Sequence, residues 1–159
     1  MAKYDGLAEE LVLLQDRLKN LNNDYYVIKA HSPTNPDWDL IAFERQTGTQ
    51  FYNKFLYQVK EIDWTKNKTV CADFLNLTVD FLFIVIFNSN NGIDKEQPII
   101  FKFPKNIFSQ KSNVRSSLLN NNNQLTYSQS QTKQYLSLNT IFTPAVLQHI
   151  KQYAFYNIK

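Results

Sequence analysis

An α/β domain is the fold class the sequence predicts, and three observations carry that reading. Leucine recurs at positions 7, 11, 14, 18 and 21, in steps of four and three that lay one apolar stripe along a helix. Positions 37–43 and 51–62 are β-prone stretches separated by the turn Gln46-Thr-Gly-Thr49, which makes a long hairpin. The run Phe81-Leu-Phe-Ile-Val-Ile-Phe87 is apolar at every position, as a strand covered on both faces should be.

A first helix spans 5–21, with Asp5 as N-cap, Glu9 and Glu10 where negative charge suits the helix dipole, and Asn20, Asn22 and Asn23 at its exit. Tyr25-Tyr-Val-Ile-Lys29 is aromatic and β-branched and predicts a strand, and the breaker-rich loop His31-Ser-Pro-Thr-Asn-Pro36 precedes the hairpin. Val70, Phe74 and Leu77 fall at helical spacing, so 65–78 reads as a helical crossover into the buried strand 81–87. The turn Asn88-Ser-Asn-Asn-Gly92 leads to a fifth strand over 99–103. Between 109 and 134 Ser, Asn and Gln take over, with four consecutive asparagines from Asn120, and the composition predicts a long loop or insertion. A short strand over 136–141 follows, then a helix begun by Thr143-Pro144 with the stripe Leu147, Ile150, Ala154 and Ile158. The organisation expected is a core over 1–108, an insertion over 109–134, and a C-terminal strand and helix over 135–159 packed on the core within one domain.

Composition narrows the class. A chain of 159 residues buries roughly 68–70% of its unfolded surface, and 43% hydrophobic with 14% aromatic residues is too apolar for a disordered polymer. Seventeen Lys and Arg against 14 Asp and Glu give net +3, which tolerates an anionic partner without demanding one. One cysteine, Cys71, forms no internal disulfide, and with two distant histidines, His31 and His149, it falls short of a structural zinc site. The acidic start has no signal-peptide pattern, and the longest apolar run is far below the roughly 20 residues of a membrane helix. A cytoplasmic protein without a membrane span is expected.

Strand phase then collects polar side chains. Along Phe55-Leu-Tyr-Gln-Val-Lys60 the two-residue period sends Gln58 and Lys60 to one face and Val59 to the other. On the preceding strand Asp37, Asp39 and Ile41 share a face, so pairing across the hairpin gathers an Asp, a Gln and a Lys near one end of the sheet. Taken singly, these are common as a turn former, an edge residue and a guard against aggregation.

Pro36-Asp37-Trp-Asp39-Leu-Ile-Ala42 and Gln58-Val-Lys60, preceded by Glu10 on the first helix, resemble the signature of the PD-(D/E)XK nuclease superfamily. The resemblance covers roughly 5–103. It implies a restriction-endonuclease-like αβββαβ core, a central mixed sheet flanked by helices with the C-terminal part as an extension. Gln58 stands where most members carry an acid, in a Gln-x-Lys variant similar to that of Mrr-like restriction endonucleases and relatives of archaeal Holliday-junction resolvases. The implied activity is Mg²⁺-dependent DNA endonuclease cleavage, of restriction or junction-resolving type, with Mn²⁺ as a substitute and RNA left open as a substrate. Asp39, the Gln58 side-chain carbonyl, the Val59 backbone carbonyl and Glu10 are the implied metal ligands, and Lys60 orients the attacking water. Glu10 is preferred to Glu9 because it lies about 60° from Leu7 around the helix, against about 160° for Glu9. Asp39 is preferred to Asp37, although the literal Pro-Asp dipeptide points to Asp37. Lys54, Lys66, Lys68, Lys102, Lys105 and Arg115 are candidate phosphate contacts. A homodimer is expected, since cutting two strands calls for two sites. The alternative is a catalytically inactive nuclease-fold module that binds nucleic acid or a protein partner in a defence or mobile-element system.

Overall fold

Phe81–Phe87 forms a central strand because it has no polar face to offer solvent: Leu82, Ile84 and Ile86 point into one core cluster and Phe83, Val85 and Phe87 into another. The structure, a computed structural model, describes residues 6–29, 38–63, 69–72, 74, 77–87, 98–109, 113–119, 134–137 and 141–157. Its elements are α1 (Leu7–Lys19), β1 (Tyr25–Lys29), β2 (Leu40–Arg45), β3 (Tyr52–Asp63), β4 (Thr69–Ala72), β5 (Phe81–Phe87), β6 (Ile99–Pro104), α2 (Asn106–Ser109), α3 (Asn113–Leu118), β7 (Gln134–Ser137), α4 (Pro144–Ile150), a 3₁₀ turn (Lys151–Tyr153) and β8 (Ala154–Tyr156).

Six strands make one mixed sheet in the order β1-β2-β3-β5-β6-β8. β1, β2 and β3 form an antiparallel meander, β3 and β5 run parallel, and β6 and β8 are each antiparallel to their neighbour. α1 covers one face through Ala8, Val12 and Leu13 over Val27, Leu40, Tyr57, Phe83 and Val85. The other face is covered by a two-stranded sheet, β4 with β7, and by residues of α2, α3 and α4, through Val70, Phe108, Leu118, Leu136, Val146 and Ile150. The protein is therefore α/β, with an open six-stranded sheet and few helices. No helix among the described residues is long and apolar enough to cross a membrane.

Four elements differ from the sequence reading. The expected crossover helix over 65–78 is, at Thr69–Ala72, a strand: Val70 and Ala72 sit two apart on a buried face and pair with Leu136 and Gln134. Val70, Phe74 and Leu77 do all reach the core; Phe74 is in 3₁₀ conformation, and residues 73, 75 and 76 of the expected helix lie outside the described residues. The expected loop over 109–134 contains α3, and its asparagine run lies outside the described residues. The expected strand over 136–141 is instead Gln134–Ser137. The last helix starts as predicted, with Thr143 as N-cap accepting from the Val146 N–H at 3.3 Å and Pro144 in its first turn, but it ends at Ile150. Ala154 belongs to β8, which pairs with the outer edge of β6 and sends Phe155 toward Phe83, so the C-terminal strand is built into the sheet and not laid on it. Ile158 and the predicted cap Asp5 lie outside the described residues; the observed N-cap of α1 is Gly6, at φ 77°, a left-handed conformation that glycine adopts without strain.

The leucine stripe of α1 differs most. Buried positions are Ala8, Val12, Leu13 and Asp16, while Leu14 and Leu18 are 51% and 52% exposed. Leu14 lies about 160° around the helix from both Val12 and Asp16. The sheet face beneath α1 is filled by large rings, Tyr57, Phe83 and Phe155 among them, and Ala8, Val12 and Asp16, with Leu13 beside them, form the helix side that meets it.

Candidate active site

β3 is the strand on which the site is built, because it outruns its partner. β2 begins at Leu40, opposite Tyr57, so among the described residues the stretch from Gln58 to Asp63 has a strand only on its β5 side. The backbone of β3 alternates its hydrogen-bonding groups between the two sides. Leu56 exchanges both bonds with Asp80, on the β5 side: the Leu56 N–H donates to Asp80 Oδ2 at 2.7 Å and the Asp80 N–H to the Leu56 carbonyl at 2.8 Å. Tyr57 faces β2, where its carbonyl accepts from the Asp39 N–H at 2.8 Å. Val59, two residues on, turns its N–H and carbonyl to the same side, where β2 has ended.

Asp39 occupies that gap. Its carboxylate Oδ2 accepts from the Val59 N–H at 2.7 Å, so the predicted acid is bonded to the middle residue of Gln58-Val59-Lys60. Asp39 is half-buried, and its second oxygen has no protein partner among the described residues. Gln58 and Lys60 are opposite Leu82 and Ile84 in the parallel register and therefore share their face, the one away from α1. Both are half-buried. The structure thus brings Asp39, Gln58, the Val59 backbone and Lys60 together at one notch in the sheet.

Other predicted residues lie elsewhere. Glu10 is exposed on α1, on the opposite face of the sheet, paired with Lys29 at 3.1 Å; Glu9 pairs with the same lysine at 3.3 Å. Those two carboxylates raise the Lys29 pKa, Glu10 contributing most. Asp37, Lys66 and Lys68 lie outside the described residues. Lys54 is exposed on the same face of β3 as Lys60, roughly 20 Å along the strand at about 3.3 Å per residue. Lys105 is exposed in the turn after β6, and Arg115 is half-buried on α3. Lys102 points to the α1 face, its ammonium 4.4 Å from the Phe81 ring centre and 5.3 to 5.7 Å from those of Tyr57, Phe83 and Phe155. Burial lowers its pKa, and this ring box sets it apart from the surface cations.

As to a metal, Mg²⁺ binds through one or two carboxylates and keeps several waters and substrate oxygens. The notch supplies one carboxylate oxygen, one amide oxygen and one backbone carbonyl, a donor set of the right chemistry with a low charge. Among the described residues no group of three His, Cys, Asp or Glu side chains converges as a metal site.

A second polar cluster, which the sequence reading missed, lies under α1. Asp16 is fully buried; its Oδ2 accepts from the Tyr25 hydroxyl and, at 3.3 Å, from that of Tyr57, and the two hydroxyl oxygens are 2.9 Å apart. Its other oxygen, Oδ1, is buried without a hydrogen-bond partner among the described residues. The only signal in the sequence is a charged residue two positions from both Leu14 and Leu18, and nothing in the local pattern of α1 marks it as buried. Burial first, then Asp16, raises the pKa of both tyrosines. Their folded forms stay protonated above pH ~10 while the unfolded chain ionises, so this contribution to stability is complete below pH ~10 and falls as pH rises beyond it. For the buried Tyr57 the slope is about 1.4 kcal/mol per pH unit, with a smaller share from the more exposed Tyr25. Urea unfolding between pH 8 and 11 should show this limb in the wild type and a flatter one in Tyr57→Phe; equal slopes would refute the assignment.

Comparison with protein-family models, with curated proteins and with solved structures finds no match for this chain.

Proposed function

We propose that this protein is a metal-dependent endonuclease on a restriction-endonuclease-like core, hydrolysing DNA phosphodiester bonds in restriction or junction resolution. The observation that carries the reading is the 2.7 Å bond from the Val59 N–H to Asp39, which holds a carboxylate against Gln58-Val59-Lys60 at the open side of β3. The order helix, three-stranded meander and a further strand parallel to β3 agrees with part of the expected αβββαβ core, although β4 lies between β3 and β5 where that core has a helix. Asp39, the Gln58 amide oxygen and the Val59 carbonyl would hold Mg²⁺, which lowers the pKa of bound water and offsets charge on the phosphate. Lys60, on the same face as Gln58, orients the attacking water and stabilises charge developing on the phosphoryl oxygens. Lys54, along the same face of β3, suits a contact to a neighbouring phosphate.

A second reading has its own observation. Glu10 is bound to Lys29 on the far face, which leaves one charged ligand at the notch and favours a catalytically inactive module that binds nucleic acid or a protein partner.

Cleavage of plasmid, branched and single-stranded DNA with Mg²⁺ or Mn²⁺ separates the two. Cutting by the wild type, with Asp39→Ala and Lys60→Ala both inert, supports the enzyme. Identical traces from all three proteins exclude it, and binding with a steep salt dependence but no cutting supports the inactive module.

A further inference from the structure

We infer that the outer side of α1 is a self-association surface, on which the α1 of a second copy of this chain packs antiparallel. The argument starts from the stripe the fold leaves unused. Leu7 and Leu14, and Leu11 and Leu18, recur seven residues apart along α1, the repeat of a helix-on-helix seam, and Leu21 follows just beyond the helix end, while the fully buried side of α1 is formed by Ala8, Val12, Leu13 and Asp16. Leu7 and Leu11 are partly covered, whereas Leu14, Leu18 and Leu21 are 51%, 52% and 82% exposed. The surface continues round the sheet edge into a cleft of about 450 Å³ lined by Arg17, Leu21, Tyr26 and Ile28, of which Tyr26 and Ile28 are exposed apolar residues of the edge strand β1.

Charge selects the occupant. Glu10 and Arg17 flank the stripe on one side, seven residues apart, and both are exposed, although within the chain Glu10 already pairs with Lys29 at 3.1 Å and one Arg17 nitrogen donates to the Val27 carbonyl at 3.1 Å, so an interchain pair shares these groups. In an antiparallel pair the same flank of each helix meets its copy, so Glu10 of each chain faces Arg17 of the other, twice over. A parallel pair would oppose each flank to the other, uncharged one, formed by Ala8 and Gln15. Antiparallel helix dipoles add to the preference. The patch is thus complementary to itself, as a two-fold interface requires. This association stands apart from the proposed chemistry, since sedimentation reads it without reference to cleavage.

Sedimentation equilibrium of the full chain is expected to show a dimer, and Leu14→Glu with Leu18→Glu a monomer with unchanged circular dichroism, because both side chains are already exposed. Arg17→Glu is expected to weaken the dimer at least about tenfold, and adding Glu10→Arg to restore it, since the exchange recreates the pair in reverse. A wild type that stays monomeric up to roughly 100 μM, where mass action favours association, overturns the proposal. So does a dimer that survives the leucine substitutions, or a charge exchange that fails to restore it.

Discussion

Asp39→Asn is expected to fold like the wild type and, for the activity proposed above, to lower cleavage in the presence of Mg²⁺ by about a hundredfold or more, the cost typical of losing one stabilising group in an active site. The prediction rests on the two tasks of this side chain. One oxygen accepts the Val59 N–H at 2.7 Å, which an asparagine carbonyl does equally well. The negative charge that would hold a cation is what asparagine lacks. Asp39→Ala removes both, and its orphaned N–H should cost about 1–3 kcal/mol, a fall of several degrees in thermal midpoint. Measuring melting and cleavage on both variants separates the structural task from the chemical one. Full activity in Asp39→Asn would mean that Asp39 serves only to cap the open side of β3, as Asp80 serves Leu56 on the other side.

Asp16→Ala is expected to be the most damaging single substitution under α1, at about 3 kcal/mol. It removes the acceptor shared by Tyr25 and Tyr57 and leaves a void between helix and sheet. The buried, unpartnered Oδ1 works the other way, since a lone buried oxygen is costly. The void and the two abandoned hydroxyls outweigh it. Replacing the whole cluster, with Asp16→Leu, Tyr25→Phe and Tyr57→Phe together, should recover most of the loss, because apolar groups need no partners. Urea unfolding of the two proteins tests this, and a loss below about 1 kcal/mol in Asp16→Ala would show that the network does not hold α1 to the sheet.

The elements legible in the sequence are those whose own residues settle their state. β1 and β5 match their predicted bounds, since aromatic and β-branched runs without polar interruption have few alternatives to a strand. Thr143-Pro144 marked the start of α4 because capping is a local event. β4 was illegible because its evidence, Leu136 opposite Val70, is remote in the chain. β8 was hidden inside an apolar stripe that continued a helix equally well, until the edge of β6 took it as a partner.

The candidate site divides along the same line. By itself the sequence determined that Asp39 precedes a strand and that Gln58 and Lys60 share a face of the next one, because strand phase is a property of consecutive residues. Only the tertiary structure decided that β2 stops opposite Tyr57, so that Asp39 meets the Val59 N–H, and that Glu10 turns to Lys29 on the far face. Likewise the sequence determined that α1 has a leucine stripe, but not which side of α1 meets the sheet. That choice belongs to the rings and hydroxyls of residues 25, 57, 83 and 155, which the fold brings beneath Ala8, Val12 and Asp16 and which no local pattern in α1 reveals.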